Sequence, residues 1–152
     1  MTIMDALYRI DELKPNSYSQ TQKIQWLSTL DGLIYREIIE THEGNPFETD
    51  EGGVNARSLD SLQDEEGGTT APLVPITRVP GYGEDADLTT ELLVPAPYDD
   101  IYIRWLESQI DYTNGEYGKY NNSIAMYNAA YTAYANYYNR THMPKGKKFK
   151  FF

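Results

Sequence analysis

Two histidines, His42 and His142, are the imidazoles of this 152-residue chain, and cysteine is absent. Thiolate metal sites and disulfides are therefore excluded. Metal or acid–base chemistry would have to come from carboxylates and these two rings. Neither ring sits in a His-Glu-x-x-His run or in the Glu-x-x-His pair that di-iron bundles use. Both fall at the ends of predicted helices, where an imidazolium interacts favourably with the C-terminal dipole. No phosphate loop ending in Gly-Lys-Ser/Thr and no nucleophile elbow occurs. Asp99 and Asp100 are adjacent, so they diverge on a helix and read as a helix start. Glu37, Glu40 and Glu43 share a helix face that reads as solvated. The expectation is a non-enzyme with no catalytic residue, cofactor or metal.

Charge narrows the partners. The formal net charge is −10 and the isoelectric point about 4.5. Such a chain repels phosphate, which disfavours general nucleic-acid binding. The run Met1–Arg9 has no basic segment followed by an apolar one, so it does not read as a signal peptide. No stretch reaches the apolar length of a membrane span. Fourteen Tyr stand against four Phe. Tyrosine couples a large apolar body to a hydroxyl that needs a partner, which suits half-wet contacts.

Three helical segments are expected to position these residues. The first runs from Thr2 to Leu13, capped by Thr2 with Asp5 in its first turn and stopped by Pro15. Ile3, Leu7, Ile10 and Leu13 mark its apolar face. The second runs from Ser19 to His42. Ser19 and Gln22 form a capping-box pattern, and Ile24, Leu27, Leu30, Ile34 and Ile38 form a stripe widened by Trp26, Leu33 and Ile39. The third opens at Asp99 and Asp100 and runs to Thr141. Ile110, Thr113, Tyr117, Tyr120, Ile124, Tyr127, Tyr131, Tyr134 and Tyr138 recur at unbroken steps of three and four. Gly115, Gly118 and Asn121–Asn122 argue for a break, but the unbroken phase predicts one helix, kinked near the glycines and roughly 60 Å long at about 1.5 Å per residue.

Between the second and third segments, residues 47–97 concentrate Gly, Pro and acids. They read as a loop-rich insertion, an arm or a solvated loop, in which Leu73–Ile76 and Glu91–Val94 could pair as a β-hairpin. The fold class is thus mainly α: a helical bundle with a long C-terminal helix, one domain over 1–144 and an extended tail over 145–152. In the tail, Lys147, Lys148, Phe149, Lys150, Phe151 and Phe152 form a basic, aromatic segment. It is either frayed or a docking peptide ordered by a partner; single-stranded nucleic acid is a weaker fit to so acidic a chain. Tyr127, Tyr131, Tyr134 and Tyr138, interleaved with alanines, are either subunit-interface anchors or an ordinary intramolecular helix face.

Four runs carry a resemblance: Asp11–Asn16 (DELKPN), Lys23–Gly32 (KIQWLSTLDG), Glu91–Asp99 (ELLVPAPYD) and Tyr120–Tyr131 (YNNSIAMYNAAY). Together they resemble the head–tail connector, or adaptor, proteins of tailed phages and prophages of Gram-positive bacteria. The resemblance skips residues 47–90. It implies a structural virion protein that forms a homo-oligomeric ring beneath the portal protein, commonly of twelve copies. DNA would pass through the lumen without sequence-specific contact. The terminal segments would dock on the portal, and a downstream tail or stopper protein would follow. The location implied is the virion neck, with the host cytoplasm during assembly, and no membrane. No catalytic residues come with the family. The alternative class is a non-virion helical interaction module, such as an assembly chaperone or regulator.

Overall fold

The structure, a computed structural model, describes residues 1–46 and 81–146. These residues are mainly helical, as expected, and contain isolated bridges but no strand ladder. Residues 1–43 and 81–146 belong to one compact unit.

Helix α1 spans Ile3–Leu13. Thr2 Oγ1 accepts from the Asp5 N–H at 3.1 Å, and Asp5 Oδ2 accepts from the Thr2 N–H at 3.0 Å. This reciprocal box satisfies donors that a helix start leaves unpaired. Ile3, Ala6, Leu7 and Ile10 face the core, whereas Leu13 is 60% exposed and leaves the expected stripe. Helix α2 spans Gln20–Ile34, with Ser19 Oγ accepting from the Gln22 N–H at 3.2 Å. Ile24, Leu27, Leu30 and Ile34 are buried, while Leu33 is exposed.

The expected continuous α-helix to His42 is not what forms. Residues Tyr35–Ile39 make a π-helical turn, closed by the Glu40 N–H on the Tyr35 carbonyl at 2.8 Å. One extra residue in the turn shifts the helical phase. Ile34, Tyr35, Ile38, Ile39 and His42 are all buried there.

Residues 81–99 depart from the sequence reading more strongly. They are a strap laid on the start of α1, not an arm. The carbonyls of Leu88 and Thr90 accept from the Met4 and Ile3 N–H groups at 3.0 and 3.1 Å, and the Leu92 N–H donates to the Met1 carbonyl at 3.0 Å. Glu91 forms a single antiparallel bridge with Thr2. The strap thus completes the helix start and buries Leu92 and Val94. Leu73–Ile76, the proposed hairpin partner, lies outside the described residues.

The long third helix is also two. Helix α3 spans Asp100–Thr113 and helix α4 spans Tyr117–Thr141. Gly115, at φ +74°, turns the chain between them. The Glu116 N–H returns to the Asp111 carbonyl at 3.0 Å and the Gly115 N–H to that of Tyr112 at 3.0 Å. This is a Schellman C-cap, which uses the left-handed conformation that glycine adopts without penalty. The helices then pack antiparallel. Contacts run from Tyr112–Tyr120 through Trp105–Tyr127 to Tyr98–Tyr134, with ring centroids 5.3, 5.0 and 5.9 Å apart. Ile101, Leu106 and Ile110 are fully buried on α3. Each contributes roughly 1.5–3 kcal/mol of apolar burial. The Trp105 indole N–H donates to the Trp26 carbonyl at 2.8 Å, tying α3 to α2.

Candidate functional site

Helix α4 presents two faces of opposite character. Its inner face carries the tyrosine series. Tyr127, Tyr134 and Tyr138 are buried by this chain itself, Tyr134 to 2% exposure. Tyr98 stacks on Tyr137 at 4.7 Å and also meets Tyr134. Tyr131 is half-buried and donates its hydroxyl proton to Glu37, so that acid is engaged by a partner and is not simply solvated. Desolvation pushes the Tyr127 hydroxyl up to about 12, with Glu37 adding to the shift. Desolvation raises Tyr131 and Tyr134 further. All three are neutral hydroxyls in neutral solution. Three of the four tyrosines expected as interface anchors therefore have little surface left to offer a neighbour, because α3, the strap and the π turn already cover them.

The outer face is different. From Tyr120 to Asn139 the sequence holds no Asp, Glu, Lys or Arg. At the chain's 24% charged content, roughly five of these twenty positions would carry charge. The exposed positions of this face include Ala125, Met126, Asn128, Ala129, Thr132, Ala133 and Asn136. Solvated helix faces on acidic proteins normally carry charge, and its depletion marks the centres of protein contacts.

Two buried carboxylates hold the body beneath this helix together. Asp31 lies on α2 and is fully buried. Its Oδ1 accepts from the Tyr102 hydroxyl at 2.5 Å, and its Oδ2 accepts from the Tyr82 hydroxyl and, at 3.3 Å, from the Leu93 N–H. Tyr102 Oη in turn accepts from the Val94 N–H at 2.8 Å. One carboxylate thus joins α2, α3 and the strap. Burial raises its proton affinity above the usual aspartate range, and the three donors partly offset that rise. Burial also raises Tyr82 and Tyr102, with the Asp31 charge adding to it. Asp111 is the second, also fully buried on α3. It accepts from Lys14 Nζ at the end of α1 and from Ser123 Oγ on α4.

The histidines frame Tyr138. The His42 ring meets it edge-on at 5.1 Å, and His142 stacks on it at 3.8 Å. His42 Nδ1 faces the Ile38 carbonyl at 2.6 Å and Nε2 faces the Asn139 amide at 2.8 Å. It therefore caps the π turn and pins it to α4. The chain after α4 then runs beside this corner. The Glu43 N–H donates to the Met143 carbonyl at 2.8 Å, and the Lys145 N–H donates to that of Thr41 at 2.9 Å.

Among the described residues, no group of three His, Asp or Glu is arranged to hold a metal ion, and no helix is long and apolar enough to cross a membrane. Lys147, Lys148, Phe149, Lys150, Phe151 and Phe152 lie outside the described residues. The sequence reading missed Asp31 and Asp111. The signal was present: each acid sits within an apolar stripe, Asp31 four residues after Leu27 and Asp111 beside Ile110. No family model, curated protein or solved structure matches the chain significantly.

Proposed function

We propose that the chain is a structural subunit of a tailed-phage particle, a head–tail connector that works as a ring beneath the portal. The observation that carries this reading is the charge-free outer face of α4. A chain of net charge −10 that keeps twenty consecutive helical residues uncharged has a surface suited to meeting protein. The rest of its acidic surface suits a channel wall along which DNA slides without adhering. The resemblance of the four sequence runs to connector proteins gives the reading its direction. In this reading, residues 145–152 dock on the portal, with the phenylalanines supplying burial and Lys147, Lys148 and Lys150 pairing with acids. Small gains per subunit become firm attachment when repeated around the ring.

Mass spectrometry of purified particles tests the role. A connector is present at a fixed copy number relative to the portal. An assembly chaperone or regulator is absent from finished particles, and that result would replace this reading with the non-virion one.

A further inference from the structure

Residues 81–94, the strap proper, hold to the helical body by a few identifiable bonds. They form no regular element, and of their side chains only Leu92 and Val94 are buried. Every other buried apolar side chain of the described residues lies on a helix or the π turn. The Leu88 and Thr90 carbonyls accept from the Met4 and Ile3 N–H groups, and the Leu92 N–H donates to the Met1 carbonyl. The Tyr82 N–H donates to Ser28 Oγ at 2.9 Å. Three further bonds converge on Asp31. Its carboxylate receives the Tyr82 hydroxyl and the Leu93 N–H directly, and the Val94 N–H through the Tyr102 hydroxyl. Pro95 then ends the strap's run of donors. The helices keep their own backbone ladders without the strap. A segment with so little apolar burial opens at lower cost than the helices beneath it.

Among the described residues no cation balances Asp31. The ionisable groups that act with it are hydroxyls: Tyr102 from α3, Tyr82 from the strap and Tyr134 from α4. The strap itself carries Glu84, Asp85, Asp87 and Glu91, all exposed, and no Lys or Arg. Closing the strap therefore takes a carboxylate out of water beneath a segment that is itself acidic. Three donors offset that cost only in part, and burial holds the proton affinity of Asp31 above the ordinary aspartate range. The neutral acid suits the closed site better. Its Oδ2 can donate to Tyr82 Oη, whose own hydroxyl proton then turns to water from a half-buried ring. Its Oδ1 keeps Tyr102 and, through it, Val94.

We infer that the strap is a proton-gated latch, closed over the start of α1 while Asp31 is neutral and released, with the helices intact, when Asp31 ionises. Opening returns Asp31 to water and its proton affinity to the ordinary range. The closed form thus binds the proton more tightly than the open form. Closure is favoured fully below the ordinary aspartate range and weakens as pH rises towards the raised value. Release frees the Ile3 and Met4 N–H groups and the Met1 carbonyl, a short backbone edge that the strap otherwise occupies. The latch requires only this fold and not the connector role.

Amide hydrogen exchange on the full-length chain, followed by NMR and corrected for the intrinsic rise of exchange with pH, tests the latch. The reporters are the Ile3, Met4, Leu93 and Val94 amides, each bonded across the strap. Leu106 and Ile110, in the core of α3, are the reference. The strap amides should exchange faster than the reference at every pH. Low urea should hardly change them, because opening exposes little surface, while it speeds the reference amides steeply. From the acid side of the aspartate range to neutral pH, strap protection should fall about tenfold or more. In Asp31→Asn that fall should disappear. Strap amides that exchange together with α3 and share its urea dependence would show that the strap opens only with the whole fold, and would overturn the inference. So would strap protection that is independent of pH, or a fall that persists in Asp31→Asn. The urea and pH comparisons use the unaltered chain, so they decide the matter even where the Asn variant does not fold.

Discussion

Replacing Tyr102 with Phe probes the join between α2, α3 and the strap. The change removes a hydroxyl that donates to Asp31 at 2.5 Å and accepts from the Val94 N–H at 2.8 Å. Both partners are fully buried. Losing a hydrogen bond to a charged group costs roughly 1.5–3 kcal/mol, and a buried N–H left without an acceptor costs about 1–3 kcal/mol more. The expected loss is therefore roughly 2.5–6 kcal/mol in urea unfolding at neutral pH. Tyr82→Phe removes a donor to the same carboxylate from a half-buried ring. Water can replace that donor, so its cost should be only about 0.5–1.5 kcal/mol. The pH dependence gives a second check. The folded-state proton affinity of Asp31 lies above its unfolded value. Its stabilising contribution is therefore full below the ordinary aspartate range and falls as pH rises towards the raised value, because the unfolded chain releases its proton first. Asp31→Asn should remove this part of the slope. Equal losses for the two Phe variants, or a pH profile unchanged by Asp31→Asn, would refute the view of Asp31 as the buried tie.

Gly115→Ala should cost about 1 kcal/mol or more in thermal or urea unfolding, because alanine is strained at φ +74°. An unchanged midpoint would mean the turn relaxes freely. Tyr134→Ala should destabilise the isolated chain by roughly 3–5 kcal/mol, in line with its 2% exposure. A variant that folds normally and only fails to assemble would return this tyrosine to the subunit interface. Deleting residues 147–152 should leave the far-ultraviolet circular dichroism unchanged while heads fail to retain the chain. Normal retention would make the tail a passive extension.

Much of the fold was legible because local chemistry decides it. Thr2 and Asp5 announce the first helix, Ser19 the second, and the acids at Asp99 and Asp100 the third. The tyrosine phase correctly marks the inner face of α4 through Tyr127, Tyr134 and Tyr138. Periodicity identifies which face is buried, but not which chain buries it, and so it left open whether the covering surface was a neighbour or α3. Gly115 marked the place of an interruption, but a full break read as a kink because the apolar phases of α3 and α4 happen to run on across the turn. The Schellman cap depends on a backbone conformation that spacing does not reveal. Residues 81–97 form no regular element, as expected of a loop, but spacing could not show that their backbone pairs with a helix start more than 80 residues away. The apolar neighbours of Asp31 and Asp111 hint at burial, but their role as ties is set by donors from distant segments, which the sequence does not show. The outer face of α4 was legible all along as a missing charge, and only the fold shows that this missing charge faces outward.

The proposed connector role would put this chain at the neck of a tailed-phage particle. Electron microscopy of purified particles carrying a small label on the chain tests it most directly. A connector subunit would put the label at the one vertex where head meets tail. Label absent from intact particles, or distributed over the capsid or tail, would contradict it.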